Sequence, residues 1–432
     1  MSHNCKKCDQ CKIDKLPCQP CIQERYQKEY ENWSSGDKKL DKLIKFVRPS
    51  LVNTLPFLEW IPHEKIEDIR HLGKIGVCST ILMATWVDGY IVRWNHDEKK
   101  WHRRGRMTVI LKTINHSDNI SDDFLAGLEA YFKCASPHLT RYFGITQNPI
   151  TYDYAIVMEY AENGDLRTYI QNNKDKLYWR RKLDILRNII AGLEVIHVTG
   201  MTHRDLHIGN ILQFKDLLYP SRISDFGLSK QAIGEGTVQV SDYIAPEVLN
   251  KKPYTNASDI YSFAMILWEV GTGEKPHANL SYNDELALQI KYDQRPEIPK
   301  EIPECYANLI KQCWDMDPEK RPTVLEIKEK IMRWQSVLGW FSTEESYRDY
   351  ETRQFEKSDN EHPPLESQKP STVDDYFELS NNTDDELTNE TDDELSNDTD
   401  DELSSETDDG LSNNDGNHEL PDGKEILYLA LF

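Results

Sequence analysis

The 432-residue chain carries 74 acidic against 51 basic side chains, a formal charge of −23, and its 38% hydrophobic content suffices for a buried core only if polar residues are segregated. They are segregated, because residues 371–410 hold 17 Asp or Glu and no Lys or Arg. Nucleic-acid and anionic-membrane ligands require a clustered basic surface, and the one basic cluster, Lys99 to Arg106, reads as a short solvated loop, so neither partner is expected.

No apolar run follows Met1 and no stretch approaches the ~20 apolar residues of a membrane span, which predicts a soluble protein of the cytoplasm or nucleus. In such a reducing compartment closely spaced cysteines bind metal or stay as thiols. Composition divides the chain into a Cys-rich head (1–22), a charged connector (23–64), a globular body (65–337) and an acidic tail (338–432).

The head contains Cys5-x2-Cys8-x2-Cys11-x6-Cys18-x2-Cys21, whose Cys-x-x-Cys pairs have the spacing for one tetrahedral Zn²⁺. Cys5, Cys8, Cys18 and Cys21 form the candidate ligand set; Cys11 or His3 can replace a member, and a metal-free thiol-rich segment is the alternative.

Strand-type runs follow at Ile81 to Trp86, Tyr90 to Trp94, Met107 to Ile114 and Tyr154 to Tyr160. Helical periodicity then takes over: in Arg180 to His197 the residues Leu183, Leu186, Ile189, Ile190, Leu193 and Ile196 define one apolar face, and Asp259 to Glu269 and Ala307 to Trp314 behave likewise. Strands followed by helices predict an α+β body in two lobes with a cleft between them. The tail repeats Thr-Asp-Asp every eight residues from Thr383, Thr391, Thr399 and Thr407; one Leu per unit does not offset the entropy of ordering, so disorder is expected. The tail is a candidate docking segment, or a target of acid-directed kinases.

The decisive segment is His203-Arg204-Asp205-Leu206-His207-Ile208-Gly209-Asn210, followed by Asp225-Phe226-Gly227 and Ala245-Pro246-Glu247. In order and spacing it resembles the signature of protein kinases. The resemblance extends over about residues 55–335 and includes Leu58-Glu59-Trp60-Ile61-Pro62, Asp225 to Lys230 and Cys313 to Pro322; it is closest to the tyrosine-kinase-like group, in particular a fungal expansion of it.

What it implies is a bilobal kinase fold with a small β-rich lobe and a larger helical lobe, binding ATP and Mg²⁺ and transferring the γ-phosphate to hydroxyls of protein substrates. Asn210 and Asp225 become the Mg²⁺ ligands, Asp205 the base at the acceptor hydroxyl, and Lys112, at the end of Val109-Ile110-Leu111-Lys112, the strand lysine on the phosphates. Gly76, Ile81, Glu159 and Ala161 join Lys112, Asn210 and Asp225 around the nucleotide, with Met158 behind it and Gly164 at the cleft mouth. Arg204 is placed to grip a phosphate on the activation segment, at Ser229, Thr237, Ser241 or Tyr243. Asp259 and Arg321 are expected to be scaffolding, the first holding the catalytic loop and the second pairing with Glu247.

Two positions depart from the family pattern. The glycine loop offers Lys74, Gly76 and Ser79 where three glycines are usual, and the helix residue expected to pair with Lys112 is Gly127, with Glu129 about 200° away around the helix. The alternative is therefore a pseudokinase scaffold that holds nucleotide weakly. Specificity is open between Ser/Thr and Tyr, because His207 stands where Ser/Thr kinases usually have a phosphate-binding Lys.

Overall fold

The computed structural model describes residues 3–4, 11–12, 34–46, 58–75, 79–95, 100–114, 121–134, 136–226, 240–278, 284–338 and 350–361. The described body opens with helix α1 (Lys38–Phe46), whose first turn is capped by Asp37 accepting from Lys39 and Leu40 N–H at 2.7 and 2.9 Å. Leu40 and Ile44, one turn apart, are 0% and 1% exposed within the main core, so this part of the supposed connector is integral to the body.

Strands β1 (Glu59–Trp60), β2 (Ile66–Ile75), β3 (Ser79–Trp86), β4 (Ile91–Asn95), β5 (Lys100–Arg103) and β6 (Met107–Ile114) lead into helix α2 (Asp122–Lys133), and β7 (Tyr142–Gln147) and β8 (Tyr154–Glu159) complete the first lobe. Six of them form one sheet in the order β1-β7-β8-β6-β3-β2, with β1 parallel to β7 and the other pairs antiparallel. Period-two alternation sends Val109, Leu111, Ala155 and Val157 to one core cluster and Ile110, Ile156 and Met158 to the other. Lys112 follows Ile110 by two and so shares the face that meets α2 and the second lobe.

The basic cluster at 99–106 is not a solvated loop. Residues 100–103 are β5, paired with β4; alternation buries Trp101, and Arg103 lies over the Trp86 ring and pairs at 2.5 Å with the buried Glu59. Its charged residues mask one inward aromatic.

The second lobe comprises α3 (Leu166–Asn172), α4 (Trp179–Val198), the hairpin β9 (Ile211–Gln213) and β10 (Ser221–Ile223), α5 (Pro246–Leu249), α6 (Asn256–Thr272), α7 (Asp284–Lys291), α8 (Glu304–Cys313), α9 (Val324–Leu338) and α10 (Tyr350–Glu361). The predicted face of α4 is buried as expected. Thr255 and Ser258 form a capping box on α6, and Gly273 ends that helix at φ 73°, a left-handed conformation glycine reaches without Cβ strain.

The boundary at 337 also needs correction. Phe355 of α10 is fully buried against Trp179, Tyr306 and Trp334, and Asp359 accepts from the Trp179 N–H at 3.1 Å. One buried aromatic, Phe355, in an otherwise polar helix whose other aromatic, Tyr350, is exposed provides the anchor, which is why composition assigned residues 350–361 to the tail. The head ligands Cys5, Cys8, Cys18 and Cys21 and the repeats at 383–410 lie outside the described residues. Among the described residues no group of three or more His, Cys, Asp or Glu side chains is arranged to hold a metal ion, and no helix is long and apolar enough to cross a membrane.

Candidate active site

The loop from His203 to Asn210 is shaped from beneath by Asp259, on the first turns of α6. Its carboxylate, 1% exposed, accepts from His203 N–H at 2.7 Å and Arg204 N–H at 3.0 Å, with His197 Nε2 also at 3.0 Å. These charge-assisted bonds hold a strained backbone, for Arg204 has φ 72°. His203, fully buried, accepts from Asp205 N–H through Nδ1 and places Nε2 3.1 Å from the Ser224 carbonyl. The Asp205 carboxylate is thereby left exposed at the loop surface.

Asn210 is tied to both neighbours. Its Nδ2 donates to the Asp205 carbonyl at 2.8 Å and reaches Asp205 Oδ2 at 3.4 Å, while its own carbonyl accepts from Ser224 N–H at 2.8 Å and Ser224 Oγ at 3.1 Å. Asp225, the next residue, has φ 61° and faces Lys112 Nζ at 2.7 Å. Burial opposes its ionisation, but the Lys112 ammonium holds the carboxyl below the usual carboxylate range. Thus Asp205, Asn210, Asp225 and Lys112 converge. An amide whose nitrogen is committed to Asp205, leaving its oxygen, and an ionised carboxylate are hard oxygen donors of the kind Mg²⁺ takes.

Ile81 is the β3 partner of Lys112 in the sheet register, and Ile156 its β8 partner, so the lysine emerges beneath the strand that roofs the cleft. Met158 is buried at the back, and Gly164 has φ 71° beyond Ala161, whose carbonyl accepts its N–H at 3.1 Å. The Glu159 side chain is engaged by Arg222 at 2.5 Å, which also pairs with Asp216 and ties β10 to the end of β8. Gly76 and the activation-segment residues Ser229 and Thr237 lie outside the described residues.

Gly127 sits within α2, and Glu129 is exposed and pairs with Lys133 at 2.8 Å on the same helix, facing away from Lys112 as the helical angle predicts. Tyr243 does not belong among candidate phosphate acceptors: it is buried, and its hydroxyl is engaged by Glu269 and by Arg167 at 2.9 Å. Arg321 forms the expected buried fork with Glu247, at 2.7 and 2.8 Å.

Sequence reasoning missed two groups. Tyr131 of α2 and Tyr142 of β7 stack at 4.0 Å and 12°, fixing the helix to the sheet, and the Tyr142 phenol, raised well above its ordinary pKa by burial and then by the Asp225 charge, lies beside that carboxylate. Their only signal was that each tyrosine is followed directly by a phenylalanine, Phe132 and Phe143. Arg222, an isolated cation between Ser221 and Ile223, was the other missed residue.

Residues 70–331, more than half of the chain, match the family model described as protein tyrosine and serine/threonine kinase. The chain is similar to probable serine/threonine-protein kinase drkC of Dictyostelium discoideum (30% identity, 61% of this chain and 34% of the relative), to serine/threonine/tyrosine-protein kinase HT1 of Arabidopsis thaliana (31%, 47% and 52%), and to tyrosine-protein kinase transforming protein Fps of Fujinami sarcoma virus (34%, 48% and 24%). It therefore spans only part of each relative. By that match, supported by the geometry of its two catalytic loops, the chain belongs to the protein tyrosine and serine/threonine kinase family.

Proposed function

We propose that this chain is a protein kinase that transfers the γ-phosphate of ATP to Ser/Thr, and on some substrates Tyr, hydroxyls of other proteins. The observation that carries this reading is the convergence of Asp205, Asn210, Asp225 and Lys112 at one cleft. In it Asp205 orients the acceptor hydroxyl and takes its proton, Lys112 holds the α- and β-phosphates, and Asn210 and Asp225 hold Mg²⁺. The metal, when bound, neutralises charge on the phosphates. Ile81, Glu159, Ala161 and Gly76 frame the nucleotide.

The test is label transfer from γ-labelled ATP to a mixed protein substrate. Wild type labels it and Asp225→Asn does not; equal labelling by both contradicts the reading.

A second reading, a scaffold with weak nucleotide affinity, is favoured by the engagement of Glu129 with Lys133 rather than Lys112. The motifs quoted above support placement in the tyrosine-kinase-like group, close to its fungal expansion. We further assign the acidic tail as a docking segment or kinase target, the four-cysteine head as a Zn²⁺ module, and the cytoplasm as the site of action.

A further inference from the structure

We propose that Tyr142 is a positioning residue for the metal site: its buried hydroxyl donates to the Asp225 carboxylate and steadies it when Lys112 turns from Asp225 to the phosphates of the nucleotide. This rests on the kinase reading above. The side chain, on β7, is 1% exposed, and its hydroxyl is buried without a hydrogen bond to any described residue. A phenylalanine would fill the same space without burying an unpaired oxygen, so the hydroxyl calls for a role.

The ring has little freedom to point elsewhere. It is stacked on Tyr131 of α2 at 4.0 Å and 12°, and the Tyr131 hydroxyl is itself committed to the Thr140 carbonyl. What remains beside the Tyr142 oxygen is Asp225, both its carboxylate and its backbone N–H. Burial, and then the Asp225 charge, keep the phenol protonated, so it acts as a neutral donor. Asp225 needs such support: at φ 61° its backbone is in a region that a non-glycine residue holds only when its surroundings fix it. The next residue, Phe226, belongs to the same buried cluster as Tyr131 and Tyr142.

The ion pairs show why this chain calls on a phenol. Asp225 Oδ1 is a buried atom, and its counter-charge is Lys112 Nζ at 2.7 Å, which among the described residues has no second carboxylate. Position 127 on α2 is glycine, and Glu129 is turned outward onto Lys133. When Lys112 turns to the phosphates, Oδ1 therefore loses its cation, and a buried carboxylate oxygen left without a donor is costly. The Tyr142 O–H takes that oxygen and leaves Oδ2 for the metal. Being uncharged, it does so without opposing a cation at the same carboxylate.

The experiment compares the full-length wild type, Tyr142→Phe, Tyr131→Phe and Asp205→Asn. Two readouts need no turnover: thermal unfolding of the nucleotide-free protein, and calorimetric titration of Mg²⁺ in the presence of an ATP analogue with a methylene β–γ bridge. The third is the rate with Mg-ATP and a mixed protein substrate. Tyr142→Phe is expected to unfold at a temperature no lower than wild type, since only an unpaired hydroxyl is removed, yet to bind Mg²⁺ about 10-fold more weakly and lose about 10-fold in kcat. Tyr131→Phe should do the reverse, losing its bond to Thr140 and with it thermal stability, but keeping Mg²⁺ affinity within about twofold. Wild-type Mg²⁺ affinity in Tyr142→Phe overturns the proposal, as does an equal loss of affinity in Tyr131→Phe, which would make both tyrosines packing residues only. A wild-type rate no higher than that of Asp205→Asn overturns the kinase reading, and the Mg²⁺ titration then still decides the role of Tyr142.

Discussion

Lys112 pairs with Asp225 across the cleft at 2.7 Å, while Glu129, the acid nearest the expected helix position, is turned outward onto Lys133. Lys112 is thus oriented by a loop acid of the second lobe. Replacing it by Met is expected to lower kcat/KM for ATP by about 100-fold, whereas Glu129→Gln leaves it within about twofold. Initial rates over an ATP titration read both outcomes.

The buried Arg321–Glu247 fork predicts a stability effect of a different kind. Removing one partner strands the other charge inside the lobe, so Arg321→Ala is expected to destabilise by about 3–5 kcal/mol. Arg321→Met with Glu247→Leu recovers much of that loss, because no charge is left unpaired. Denaturant midpoints of the single and double variants give the comparison.

The two flanking helices, α1 and α10, carry a third prediction. Leu40→Ala should cost about 2–5 kcal/mol and Phe355→Ala about 3–5 kcal/mol, measured by equilibrium unfolding. Values near zero for either would mean that its helix is not part of the folded body.

His138 makes stability depend on pH. Burial, reinforced by Arg187, lowers its pKa to about 4 from 6.5, so the folded protein keeps the ring neutral where the unfolded chain protonates it. The unfolded state then binds more protons, and stability rises with pH. This contribution is fully present above about 6.5 and is lost as pH falls toward 4, amounting to on the order of 3 kcal/mol. His138→Gln should flatten unfolding free energy against pH across that window.

The convergence of the candidate residues was legible because the kinase signature fixes residue types at short spacings: Asp205 and Asn210 lie on one loop, and Asp225 is joined to Asn210 through its neighbour Ser224. The long helix α4 was legible because its apolar face repeats over several turns. Less legible were elements whose signal is one or two side chains. Trp101 is the inward residue of a strand among basic neighbours, Phe355 the anchor of a polar helix, and Leu40 and Ile44 the buried pair of a charged one. The partners of such residues are distant in sequence, so periodicity cannot find them. Tyr243 was misjudged for the same reason, since Arg167 and Glu269 come from separate helices.

The most direct measurement is the initial rate of phosphoryl transfer by wild type and Asp205→Asn at saturating Mg-ATP, with ATP affinity determined for both. The account predicts similar affinity and a rate at least about 100-fold lower for Asp205→Asn. Equal rates for the two proteins would contradict it.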